Sequence, residues 1–166
     1  RAVDFASAVG CPSLVFGNPR QRFVPAGVDP DSAIPFFRKI ADYAKAHGAV
    51  IALEANPPVY GTNFCNTSAE AFAFARRVPG LAVNYDLGTL LTNGESIDLL
   101  FENLDLVSHI HLSEPGLAPL SPRPLHRELA QRLRQAGYQG FVSIEMKTQP
   151  REDAARVLQY AAEVFL

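Results

Sequence analysis

Three carboxylates and one imidazole recur along this chain at nearly regular intervals. Glu54, Asp86, His111 and Glu145 are separated by 32, 25 and 34 residues, and each directly follows a short apolar run. Carboxylates gathered at one point repel and drive their own pKa values up, a conflict that a divalent cation resolves. Two or more carboxylates with one imidazole suit Mn²⁺, Mg²⁺, Co²⁺ or Zn²⁺. Taken singly, each acid also reads as a helix cap or a surface ion-pair partner, and Glu145 as a partner of Lys147. His109 and His111 alternate with apolar residues, so one of them also reads as a hydrogen-bonded core histidine. The fourfold recurrence at strand ends favours a shared site.

The elements that must position these groups alternate between apolar runs and helix-period segments. Residues 1–9 read as the end of a helix closed by Gly10, and Ser13 to Phe16 as a short strand. A long amphipathic helix is expected from Asp31 to His47, with Asp31 or Ser32 as N-cap and Gly48 as the stop. The strand Ala49 to Leu53 runs into Glu54. Thr67-Ser-Ala-Glu70 is a capping box opening a helix to about Arg77. The strand Leu81 to Tyr85 leads to Asp86, a short helix covers about 95–101, and the strand Leu106 to Ile110 leads to His111. A helix over 125–136 stops at Gly137, the strand Phe141 to Ile144 reaches Glu145, and a helix over 151–166 closes the chain. Strands apolar on both faces and separated by helices predict a parallel sheet. Each ligand spacing is about one βα unit, and in a barrel the C-terminal strand ends carry the catalytic groups. No glycine-rich phosphate loop is present.

Composition narrows the function. The chain has 166 residues, with 48% hydrophobic and 19% charged, as for an ordinary globular domain. A formal net charge of −2 gives no basic footprint for nucleic acid. No apolar run approaches the roughly 20 residues of a membrane span. The two cysteines, Cys11 and Cys65, lack metal spacing and are expected to be buried, reduced thiols in a cytoplasmic protein. Arg1-Ala-Val-Asp-Phe5 reads as the middle of a helix, so an N-terminal portion is expected to precede it.

The segments Leu14-Val-Phe-Gly-Asn-Pro-Arg20, Ala52-Leu-Glu-Ala-Asn-Pro57, Asn84-Tyr-Asp-Leu-Gly88, Ser108-His-Ile-His-Leu-Ser-Glu114 and Val142-Ser-Ile-Glu-Met-Lys147 together resemble the xylose-isomerase-like sugar phosphate isomerase/epimerase superfamily. That superfamily includes ketose 3-epimerases, hydroxypyruvate isomerases and inosose dehydratases, with AP endonucleases as relatives. The resemblance covers nearly the whole chain and rests on order and spacing. It implies a (β/α)₈ TIM barrel of which residues 1–166 form strands four to eight, the C-terminal part of a single domain whose first βα units lie upstream. It also implies that Glu54, Asp86, His111 and Glu145 are metal ligands, and that Glu54 and Glu145 form an acid/base pair across a sugar-like substrate. The expected chemistry is isomerisation or epimerisation through an enediolate. Dehydration, hydrolysis or a non-catalytic scaffold on the same barrel are the alternatives, and a homo-oligomer is compatible with the pattern.

Two departures bear on the substrate. Many members carry a histidine three residues after the aspartate, where this chain has Thr89. The epimerases tend to carry an arginine six residues after the histidine, where it has Leu117. Glu114 fits the pattern. Around the site, Arg20 or Arg22 is a candidate for holding a substrate phosphate, carboxylate or hydroxyl, equally readable as a solvated basic loop. Asn56 is a candidate to orient Glu54. Tyr60 and Phe64 are candidates for an apolar wall, and His109 for a partner of His111 or a packed barrel residue.

Overall fold

A computed structural model describes residues 1–166, the Gln21 side chain excepted. Five strands form one parallel sheet in sequence order: β1 (Ser13–Phe16), β2 (Val50–Glu54), β3 (Leu81–Asp86), β4 (Val107–Ser113) and β5 (Phe141–Glu145). Helices α1 (Ala2–Ala8), α2 (Ile34–Ala46), α3 (Ser68–Arg76), α4 (Leu87–Asn93), α5 (Asp98–Glu102), α6 (Pro124–Gln135) and α7 (Arg151–Phe165) connect and flank them. The result is a partial TIM barrel. Because strand side chains alternate faces, Leu53, Tyr85, Ile110 and Leu112 fall on the face packed by helices and are almost wholly buried. Glu54, Asn84, Asp86, His111 and Glu145 fall on the other face. The sheet therefore separates an apolar core from a polar inner wall.

Local signals explain most boundaries. Thr67 and Glu70 form the reciprocal capping box, and Gly48 and Gly137 follow their helices at φ values of 72° and 66°. The long helix begins differently from expectation. A 3₁₀ turn over Pro30–Ala33 precedes α2, and Asp29 caps it by accepting the Asp31 N–H. Asp31 itself is taken by an ion pair with Arg77. Helix α4 was not expected at all. It starts at the last strand residue, because the Asp86 side chain accepts the Thr89 N–H at 2.6 Å and so nucleates the turn.

Strand β4 runs on through His111 to Ser113 and does not stop at Ile110. Its pairing with β3 carries a bulge: Val83 faces Val107 but Asn84 faces His109, so Ser108 is the extra residue. That insertion places His111 opposite Asp86. Cys11 is exposed and Cys65 buried, both free, so only one thiol is buried as expected. Cys11 stands in the turn before β1, its thiol donating to the Ser13 carbonyl at 3.2 Å.

Candidate metal centre

The four expected ligands meet. One donor atom from each of Glu54, Asp86, His111 and Glu145 lies within 4.8 Å of the others. Parallel register does this: Asp86 is paired with His111, and Ser113, two residues beyond His111, with Glu145. His111 Nδ1 lies 3.0 Å from Glu54 Oε2 and 3.1 Å from Glu145 Oε2. Glu145 thus pairs with His111 and, among the described residues, makes no ion pair with Lys147. The cluster borders a cavity of about 410 Å³, also lined by Gly17, Asn18, Asn56, Tyr60, Thr89, Glu114 and Leu117.

The electrostatics follow from three acids around one imidazole. Burial acts to lower the His111 pKa, but hydrogen bonds to Glu145 and Glu54 and their charges outweigh it and push it up to about 10. Conversely, the His111 hydrogen bond and charge hold Glu145 below the usual carboxylate range. Burial raises Asp86 to about 6, with the Glu54 charge adding to it, against the hydrogen bonds from Ser113 and Thr89. The metal-free cluster therefore keeps a proton on His111 to offset its acids. A divalent cation does the same with two charges, and three carboxylates plus one imidazole, with no thiolate, form a suitable donor set. The residues present fit such an ion.

The surrounding candidates divide. Asn56 is buried, donates to the Gly17 carbonyl at 2.9 Å and lines the cavity. Glu114 lines it too, but Arg123 grips both its oxygens, with Nε at 2.8 Å from Oε1. Tyr60 forms part of the wall, its hydroxyl accepting the Gly116 N–H at 3.1 Å. Phe64 does not, because it is drawn into the core, stacked on Phe37. Arg22 also departs from expectation. Its guanidinium is buried, donating to the carbonyls of Glu54 (2.6 Å) and Phe64 (2.9 Å), and it lies outside the cavity lining. Arg20 is exposed and outside that lining. His109 lies one strand repeat below His111, bonded through Nε2 to Ser143 Oγ at 2.8 Å. It packs edge-on against the His111 ring, 5.1 Å between centroids.

Three residues that sequence reasoning passed over belong to the site. Ser113 Oγ donates to Asp86 Oδ2 and accepts the Gly88 N–H at 2.8 Å, holding the aspartate from a second side. Asn84 Nδ2 donates to Glu54 Oε2 and lies 3.1 Å from His111 Nδ1. Gly17 leaves room for Glu54, since a Cβ there would stand 2.7 Å from Oε1. Asn84 and Ser113 share the two-residue strand period with Asp86 and His111, a signal that was available. The Gly17 contact has no signal in the sequence.

A parallel α/β half-barrel with a carboxylate-rich cluster at its strand ends is the arrangement of TIM-barrel enzymes. The chain belongs to the xylose isomerase-like TIM barrel family, whose model matches residues 1–164. No curated protein matches it in sequence. In structure it is similar to D-psicose 3-epimerase from Clostridium cellulolyticum H10, solved with D-tagatose, with a TM-score of 0.82 at 15% identity over 98% of this chain and 68% of that one. It is also similar to 3-keto-D-glucoside 4-epimerase from E. coli, with a TM-score of 0.80 at 19% identity over 97% and 67%. A third similar structure is AP endonuclease family 2 from Brucella melitensis, with a TM-score of 0.78 at 22% identity over 98% and 64%. The chain thus spans about two thirds of the length of these structures.

Proposed function

We propose that this protein belongs to a divalent-metal-dependent isomerase or epimerase acting on a small sugar-like substrate through an enediolate. The observation that carries this reading is the placement of Glu54 and Glu145 on either side of His111, at 3.0 and 3.1 Å, on the wall of the cavity. Two carboxylates flanking one point are what proton removal and proton return require. Glu54, Asp86, His111 and Glu145 would hold the ion. When bound, Mn²⁺, Mg²⁺, Co²⁺ or Zn²⁺ supplies Lewis-acid polarisation of a substrate carbonyl, which acidifies the neighbouring C–H bond.

One glutamate takes that proton and the other returns one to the adjacent carbon or to the opposite face. Tyr60 and Leu117 offer apolar surface to the sugar ring, while Asn18 and Asn56 offer polar contacts for hydroxyls.

The test is solvent exchange. Incubation of the metal-loaded protein with a panel of ketoses in D₂O is expected to place deuterium on the carbon next to the carbonyl. Glu145→Gln should abolish the incorporation while leaving the protein folded. Phosphodiester cleavage without any deuterium uptake would defeat the reading and favour hydrolysis.

A further inference from the structure

We infer that Asn84 is the positioning residue that makes the two oxygens of Glu54 unequal, keeping Oε2 on the ligand side and leaving Oε1 free beside Gly17. The inference rests on the metal reading above and assigns a task to a residue outside the ligand set. Asn84 stands on β3, between β2 and β4, opposite Glu54 on one side and His109 on the other. Its amide nitrogen donates to Glu54 Oε2 and lies 3.1 Å from His111 Nδ1, so one side chain touches two of the four ligand groups. Oε1 of the same glutamate faces the bare α-carbon of Gly17 at the start of the cavity-lining loop.

Asn84 itself is only 1% exposed, and among the described residues its buried Oδ1 has no hydrogen-bond partner. A buried, unsatisfied carbonyl is unfavourable, and an apolar side chain of similar size would avoid it. The amide is therefore explained by what its NH₂ does. A carboxylate with one oxygen tied down cannot rotate to present both. Glu54 thereby contributes a single oxygen to the cluster and keeps the other as a proton acceptor. Groups that hydrogen-bond to a metal ligand and fix its orientation commonly change metal affinity by roughly 10- to 100-fold when removed.

Titration of the purified protein with Co²⁺, followed by its visible absorption, tests this. Asn84→Leu is expected to weaken Co²⁺ binding by roughly tenfold or more. It should also lower the band intensity, as Glu54 swings to present both oxygens and the coordination number rises. In the deuterium assay kcat should fall with little change in KM. Asn84→Ala, which introduces no bulk, is expected to do the same and keeps the test decisive if the leucine does not fold. Unchanged affinity and an unchanged Co²⁺ spectrum in a folded variant would overturn the role of Asn84 and leave the metal reading intact. Failure of the unsubstituted protein to bind Co²⁺ would overturn both.

Discussion

Gly17 and Glu54 approach so closely that the first side-chain carbon added to Gly17 would stand 2.7 Å from Glu54 Oε1. Glu54 has little room to retreat, because Asn84 and His111 hold its other oxygen. Gly17→Ala is therefore expected to displace the carboxylate, weakening metal binding by roughly tenfold and costing about 1–3 kcal/mol of stability through overpacking. Calorimetric metal titration and thermal melting of the variant check both effects. A wild-type affinity would show that the glutamate moves freely.

Arg22 braces the same glutamate through its backbone. Its two donated hydrogen bonds to the Glu54 and Phe64 carbonyls are buried, so Arg22→Met strands the Phe64 carbonyl and leaves that of Glu54 only the 3.4 Å contact from Asn56 Nδ2. Leaving a buried acceptor unpaired costs about 1–3 kcal/mol, partly offset by the more favourable burial of methionine. Urea unfolding should show a loss of about 1–3 kcal/mol. Arg20→Ala, two residues away and exposed, should leave the midpoint unchanged.

Metal uptake should depend on pH in two stages. His111 is raised above 6.5 to about 10, so in the metal-free protein it carries a proton that an incoming ion must displace. Between about 6 and about 10, one proton should leave per ion and affinity should rise about tenfold per pH unit. Below about 6, Asp86 also takes up a proton and the dependence should steepen. For stability of the metal-free fold the sign is opposite. A raised histidine pKa stabilises fully below 6.5, and that contribution is lost as pH rises through about 10. Calorimetry in buffers of different ionisation enthalpy counts the protons, and melting of the metal-free protein across the same range checks the second sign.

An ion bound only by the folded state should raise its stability by about 2.7 kcal/mol when present at 100 times its Kd. Chelator should reverse the gain. Asp86→Ala should remove most of it and also lower the metal-free melting temperature, because Asp86 caps α4 as well as serving the cluster.

The strand–helix alternation, the capping box and the four residues of the cluster were all readable from the chain, because they depend on short-range period and on residue type. An acid that follows an apolar run announces itself whatever lies far away. The contacts that set the chemistry were not readable in that way. The extra residue at Ser108 places His111 opposite Asp86, and a bulge is decided by how two strands pair, not by either strand alone. Arg22 sits in a loop whose composition suits a solvated cation equally well, and only the convergence of two distant carbonyls draws it inward. Asn84 and Gly17 matter because packing brings them against the two oxygens of Glu54. Sequence therefore determined which residues were available for a metal centre. The tertiary structure decided how each is held, because the groups that orient Glu54 lie 30 or more residues away along the chain and meet it only through the sheet.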